Sequence, residues 1–336
     1  MQFTRLDPER LTERDVLDAT EFFAAVNAVD RPEWPPTPRA GIEEQLRSAH
    51  IGTEPGTFWL GRLEDERLAA IGVIRLPQAE NTELAPLDVR VHPQLRRQGL
   101  GEQTLRLLVD QAREAGRTRL MGSQMREGGP GLPWSKRFGF RPAHGYIVQD
   151  LQIAESDPAL WDVPVAPGYQ LQDWIGPAPE DVIESYAAAR RAISDAPSGE
   201  MTYQDPQWSP ERVREDEAEI AAMGAEQRVV VAIHEATGEV VGITQLFVYA
   251  NRPKHGYQSD TAVLAAHRGR GLGRAIKAAM MRRLVRERPE VEHVSTQTAA
   301  DNKWMAQVNH QIGYRTLWTH FYAEADTDLV HERLGE

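Results

Sequence analysis

The sequence contains no cysteine. That excludes a disulfide framework, a thiolate metal site and a covalent thioester on the protein's own sulfur. Long apolar runs are missing too. No stretch reaches the roughly 18 apolar residues of a membrane-spanning helix, and the N-terminus, Met1 to Arg10, has no apolar core of signal-peptide type. A soluble cytoplasmic protein with no membrane contact is expected. Positive charge is the minority: 38 Lys and Arg stand against 50 Asp and Glu, a net charge of −12. No nucleic-acid partner is expected of such a chain, because phosphate backbones are held by clustered Lys and Arg. The 10 histidines fall in no H-x-x-x-H pattern, so no metal is expected either.

What is present is a sequence written twice. From Val263 to Leu284 an apolar strand runs into a basic, glycine-rich turn and then an amphipathic helix, with Leu272, Ile276, Ala279, Met280 and Leu284 at helical spacing. Such a turn gathers backbone N–H groups and adds the positive end of a helix dipole, so a pyrophosphate can bind there. Gly269, Gly271 and Gly273 are expected where a Cβ would block the phosphate or forbid the φ value, with Arg268, Arg270 and Arg274 around the anion. From Val91 to Leu108 the same order recurs, offset by 172 residues: Arg96 aligns with Arg268, Gly99 with Gly271 and Gly101 with Gly273. A length of 336 residues suits two domains of roughly 150–170 each.

Along the chain, each copy reads strand, two helices, hairpin, strand, glycine turn, helix, strand, short helix, strand. Proline-rich and long loops interrupt both copies between their first two helices, at 28–39 and 194–210. The segment Glu127 to Pro133, with three glycines and two prolines, leaves room for only a short or broken helix in the first copy. The expected division is an N-terminal domain over 1–154, a linker over 155–167 and a C-terminal domain over 168–336.

Both turns match the R/Q-x-x-G-x-G/A signature, as R-R-Q-G-L-G from Arg96 to Gly101 and R-G-R-G-L-G from Arg268 to Gly273. With the matching element order, the chain resembles the GCN5-related N-acetyltransferase (GNAT) superfamily over essentially its whole length, twice. The arrangement is similar to that of mycothiol synthase and of tandem GNAT proteins from actinobacterial antibiotic-biosynthesis clusters. The resemblance implies an α+β fold of two tandem domains, each a mostly antiparallel, V-splayed sheet with helices on both faces. It also implies acetyl-CoA as cosubstrate and direct attack by an acceptor amine, expected to be a small molecule. The cofactor residues it implies are Val89, Val91, Arg96, Arg97, Gln98, Gly99, Leu100 and Gly101 in the first copy. In the second they are Val263, Leu264, Arg268, Gly269, Arg270, Gly271, Leu272, Gly273, Arg274 and Asn302.

The family's acid–base pattern is incomplete. Asn309 stands where the thiolate-protonating tyrosine belongs, and the first copy has Ser135 there. Tyr314 is the nearest replacement acid, and its position normally holds a packed aromatic. The usual glutamate positions are Ala85 and Tyr257, so the carboxylates nearest the strands are Asp88 and Asp260, which align. Asp260 is either the base or a structural partner at the strand bulge. Asn302, Asp260 and Tyr314 are thus the catalytic candidates. Asp195, Tyr203, Asp205 and Trp208 on the second long loop are acceptor-recognition candidates or packed residues. The C-terminal copy is the expected catalytic half. A CoA-binding or sensing module and a protein or peptide acetyltransferase stand as alternatives, and the oligomeric state is left open.

Overall fold

The strand β1 (Gln2–Arg5) leads to Thr12, whose hydroxyl accepts the Asp15 N–H while the Asp15 carboxylate accepts the Thr12 N–H. This capping box starts α1 (Glu13–Asp30). The first copy continues through α2 (Arg39–Ser48), β2 (His50–Ile51), β3 (Glu54–Arg62), β4 (Leu68–Arg75) and β5 (Leu84–Val91). It then runs through α3 (Leu100–Glu114), β6 (Arg119–Arg126), α4 (Gly131–Lys136) and β7 (Arg141–Gln152). The second copy repeats the order: β8 (Tyr169–Ile175), α5 (Ile183–Arg190), α6 (Pro210–Ala222), β9 (Ala225–His234), β10 (Glu239–Tyr249), β11 (His255–Val263) and α7 (Leu272–Glu287). It closes with β12 (His293–Ala299), α8 (Lys303–Gln311), β13 (Arg315–Asp326) and α9 (Thr327–Gly335). The structure, a computed structural model, describes residues 1–34, 36–48, 50–51 and 54–335.

The strand β4 shows how each sheet acquires two covered faces. Ile71 and Val73 pack with Phe22, Phe23 and Leu46 of α1 and α2, while Ile74 packs with Leu105 and Leu108 of α3. Gly72 lies on the α3 side, where a Cβ would come within 2.9 Å of Thr104 and 3.2 Å of Leu108. Helices on both faces therefore make the strand apolar from Leu68 to Ile74 rather than alternating. In the second copy, β10 is buried from Val240 to Val248 for the same reason, under α7 on one face and α5 on the other.

Two compact units result: Met1–Gly145 with Gly199–Gln204 and His320–Glu336, and Tyr146–Ser198 with Asp205–Thr319. In the first, the sheet order is β1-β3-β4-β5-β6 and then the His320–Asp326 part of β13, with β2 beside β3. In the second it is β8-β9-β10-β11-β12 and then the Tyr146–Gln152 part of β7. Only β5–β6 and β11–β12 are parallel among the described pairings within each sheet. Each copy's last strand thus completes the sheet of the other copy's unit, so the sequence repeats and the compact units do not coincide.

Other differences from the sequence reading are local. The first of the two helices expected in the second copy is split into α5 and a tighter 3-10 turn, Arg191–Asp195. The segment expected as a linker is packed down: Trp161 is buried and its indole N–H donates to the Ile312 carbonyl at 2.9 Å. A helix that the reading omitted, α9, puts Val330 and Leu334 against α3. No described helix is long and apolar enough to cross a membrane.

Candidate functional site

The two glycine turns are built alike. Each strand ends in a short 3-10 turn, Pro93–Leu95 or Ala265–His267, followed by an arginine in extended conformation. Arg96 Nε donates to the Val91 carbonyl at 3.2 Å, and Arg268 Nε donates to the Val263 carbonyl at 2.8 Å. The rest of each guanidinium is held by an acid: Asp30 takes Arg96 in two bonds of 2.9 and 2.7 Å, and Asp195 takes Arg268. These arginines fold the turn back onto its strand. Gly99 and Gly271 then cap α3 and α7 in the left-handed conformation, with φ values of 78° and 76°.

The first capping-type bonds are Gln103 N–H to the Gly99 carbonyl and Ala275 N–H to the Gly271 carbonyl. The N–H groups of 100–102 and 272–274 therefore have no acceptor within their own helices and face outward at the positive end of a dipole. Among the described residues beyond their chain neighbours, no atom lies within 4 Å of a Cβ built on Gly99, Gly269 or Gly271. A pyrophosphate fits this arrangement. One expectation needs correcting. Gly273 and Gly101 are ordinary helical residues, outside the left-handed region. Moreover, Arg97 holds φ 65° where Gly269 holds 75°, so that position accepts a side chain.

Beside each turn the sheet opens. The parallel pairing of β5 with β6 stops at Leu87 opposite Gly122, and that of β11 with β12 stops at Gln258 opposite Thr296. Both members continue past those points, leaving a wedge whose inner edge is unpaired among the described pairings. In the second copy, β11 also bulges against β10: Thr244 faces Thr261 but Leu246 faces Gln258, which gives β11 an extra residue at 259–260. Asp260 sits on that bulge.

Asp260 is partly exposed, and its carboxylate lies 4.0 Å from Arg190. Burial raises its pKa, Arg190 opposes the rise, and Asp216 and Asp205 add to it, with a net upward shift. Arg190 is committed elsewhere. It is buried, bonds Asp216 at 2.7 Å and lies 3.3 Å over the Trp208 ring. Below the bulge, the buried Gln258 accepts the Tyr314 hydroxyl at 2.7 Å and donates to Thr244 at 2.8 Å. Burial, with Asp150 nearby, pushes the Tyr314 pKa well above its ordinary value. Asn302 caps α8, its Oδ1 accepting the Met305 N–H at 3.1 Å. Asn309 is fully buried, with its amide donating to Gln149 at 2.8 Å and Thr298 at 3.1 Å. Lys277 of α7 is buried against the Tyr314 ring, 5.4 Å from its centre, and burial lowers its pKa to about 7.

In the first copy, Asp88 occupies the aligned position with the opposite electrostatics. Burial pushes its pKa up, but the Coulomb attraction and hydrogen bond of Arg90, 2.8 Å away, outweigh it and leave a net downward shift. Arg31 at the end of α1, Arg90 on β5 and Arg126 on β6 come together there. The groove is also narrower beside the turn, where the Trp134 ring is 3.4 Å from a Cβ built on Gly101; at Gly273 the nearest atom is 4.0 Å away.

The structure thus brings the turn residues Arg96 to Gly101 and Arg268 to Arg274 to the mouths of the two wedges, with Val89, Val91 and Val263 on their strands and Leu264 just past the end of β11. The loop candidates disperse. Asp195 holds Arg268, Trp208 is buried under Arg190, and Tyr203 lies in Gly199–Gln204, which packs into the first unit. Only Asp205 of the four adds its charge to the Asp260 cleft. Arg190 and Lys277 were missed, although both stand on the apolar stripes of their helices, at i+7 from Ile183 and i−4 from Met281. A charged residue on such a stripe signals a buried polar partner. His267 of the second turn is bonded to the Tyr169 hydroxyl at 2.9 Å.

The family model for the acetyltransferase (GNAT) family matches residues 22–128 and 191–314. The fold is similar to a tandem GNAT protein from the clavulanic acid biosynthesis pathway, with 24% identity, coverage of 97% of this chain and 98% of that one, and a TM-score of 0.78. It is also similar to a GCN5-related N-acetyltransferase from Sphaerobacter thermophilus, at 17% identity, 97% and 96% coverage and a TM-score of 0.71. A third structure, a GCN5-related glucosamine N-acetyltransferase region of a fungal multi-domain β-N-acetylglucosaminidase, gives 13% identity, 96% coverage of this chain and 38% of that one, and a TM-score of 0.67. No curated protein matches the chain.

Proposed function

The chain belongs to the acetyltransferase (GNAT) family, and on that premise we propose that it transfers acetyl from acetyl-CoA to a small-molecule amine, with the chemistry in the second unit. Gly271 and the free N–H groups of 272–274 would hold the pyrophosphate, and the open β11 edge would hold the pantetheine arm beside Val263. The amine then attacks the thioester carbonyl directly, which needs no protein nucleophile. Asp260 accepts the ammonium proton before attack; the nitrogen gives up its second proton to solvent as the tetrahedral intermediate collapses, and CoA leaves as its thiolate, which takes a proton from solvent.

The observation that carries this reading is the raised pKa of Asp260 on a β-bulge, in a cleft that also feels Asp205 and Asp216. A carboxylate of raised pKa is a better base than an ordinary one, and the acids around it attract a cationic acceptor. Tyr314 suits a supporting role: its hydroxyl is committed to Gln258, and its high pKa makes it a weak proton donor. Asn302 sets the start of α8. The first unit keeps Gly99 in the same conformation as Gly271, which supports CoA binding there without turnover.

The test is release of CoA thiol from acetyl-CoA in the presence of small mono- and diamines, monitored with a thiol reagent. Amine-dependent release is expected. Binding of acetyl-CoA with no release to any amine would instead establish a CoA-sensing module, and release only with peptides would make the protein a peptide acetyltransferase.

A further inference from the structure

The wedge of the first unit has a charge that acetyl transfer to a cationic amine does not call for. Three guanidinium groups from three different elements meet at its open end: Arg31 closing α1, Arg90 on β5 and Arg126 on β6. The acids around them are already taken. Asp30 is held by Arg96 at 2.7 and 2.9 Å, Asp88 by Arg90 at 2.8 Å, and Glu33 by Arg126 at 2.6 and 2.9 Å. Arg31 is left over. Among the described residues it pairs with no carboxylate, and its side chain donates to the neutral Gln124 Oε1.

Gln124 stands at an irregular point of its strand. It lies where β6 carries an extra residue against β13, and it adopts φ 57°, a conformation that side chains other than glycine rarely take. Two immobilised ion pairs thus flank one guanidinium that has spare donors, half-buried at the mouth of a cleft.

We propose that this wedge is an anion site, in which Arg31, flanked by Arg90 and Arg126, receives a carboxylate or phosphate group of a small ligand. The planar fork of a guanidinium matches either oxyanion with paired N–H donors. An incoming anion supplies the charge that Arg31 lacks, and the neighbouring guanidinium groups strengthen the attraction. Burial first and Arg90 next lower the Arg31 pKa to about 10, against the opposing pull of Asp88 and Asp30, with Arg126 lowering it further. The buried His320 on β13 stays neutral at pH 7, since burial and then Arg31 lower its pKa to about 4, so it does not compete for the anion. A cationic amine is repelled by the same arrangement. The two units therefore select ligands of opposite charge.

The experiment is calorimetric titration of the whole protein with succinate and, separately, with inorganic phosphate, in low-ionic-strength buffer, for the parent and for Arg31→Gln. A site that weakens at least tenfold in Arg31→Gln is expected, and the probe showing it tells carboxylate from phosphate; phosphate bound at the glycine turns survives the change. A second measurement on the parent alone guards against misfolding of the variant. Phenylglyoxal labelling of Arg31, read by mass spectrometry, should be suppressed by whichever anion binds. Labelling of Arg31 unaffected by both anions, or titrations identical in parent and folded variant, would overturn the proposal.

Discussion

Asp88 and Asp260 stand at the same place in the two copies and have opposite pKa shifts. Asp88 is drawn down by Arg90 beside it, whereas Asp260 is raised. The strand registers locate the cause. Arg90 lies opposite Ile71 on β4, and Ala262 lies opposite Ile243 at the matching point of β10. One substitution, arginine against alanine two residues further along the strand, removes the cation that neutralises the first carboxylate. In the second copy the nearest guanidinium, Arg190, is bonded to Asp216 and stacked on Trp208 and stands 4.0 Å away. A duplicated scaffold can thus keep the glycine turn in both copies while the carboxylate beside it meets opposite electrostatics.

The largest expected effect comes from removing the cation that holds the second cleft together. Arg190→Met leaves Asp216 and Asp260 without this counter-charge and should cost about 3–5 kcal/mol of stability, read by denaturant unfolding. An equally stable variant would mean that the cleft does not depend on this guanidinium. Next is Asp260→Asn, expected to lower kcat/KM about 100-fold, while Asp88→Asn leaves it unchanged. The parent's kcat/KM should fall as the pH drops through the raised Asp260 pKa, giving an acid limb above the usual carboxylate range of about 4 that the Asn variant lacks. Equal losses from both substitutions would erase the distinction between the copies.

The smallest effect sharpens the comparison inside the core. Lys277 stands where the first copy has the buried Leu105, and its folded pKa of about 7 is below that of a free lysine. Between roughly pH 7 and 10 the unfolded chain binds a proton that the folded chain does not, so stability should rise with pH across that window. Lys277→Leu should abolish this rise and add about 1–3 kcal/mol at pH 7, measured by unfolding at several pH values. A rise that persists in the variant would assign it to another group.

How much of this was legible in the sequence depended on whether the signal was local. The turns were, because a left-handed helix cap asks for glycine at 99 and 271 and the returning side chain asks for arginine at 96 and 268. The element order followed from periodicity. The exchange of end strands was not legible: β7 and β13 read as apolar strands whichever sheet they join, and partner choice is a long-range matter. The electrostatics of the clefts were half legible. Asp88 and Asp260 were found by alignment, but Arg31 and Arg190 meet them only after α1 and α5 fold against their sheets. For Trp208 and Tyr203 the choice between acceptor recognition and packing stayed open, because nothing in a loop's composition tells which parts are packed down.

The most direct test of the claim that the second unit does the chemistry is turnover of acetyl-CoA and an amine by two single variants, Gly271→Trp and Gly99→Trp, each placing a bulky side chain in a left-handed turn position. The account predicts that Gly271→Trp abolishes turnover while Gly99→Trp retains it and loses only acetyl-CoA bound at the first turn. Turnover lost in Gly99→Trp and kept in Gly271→Trp would contradict it.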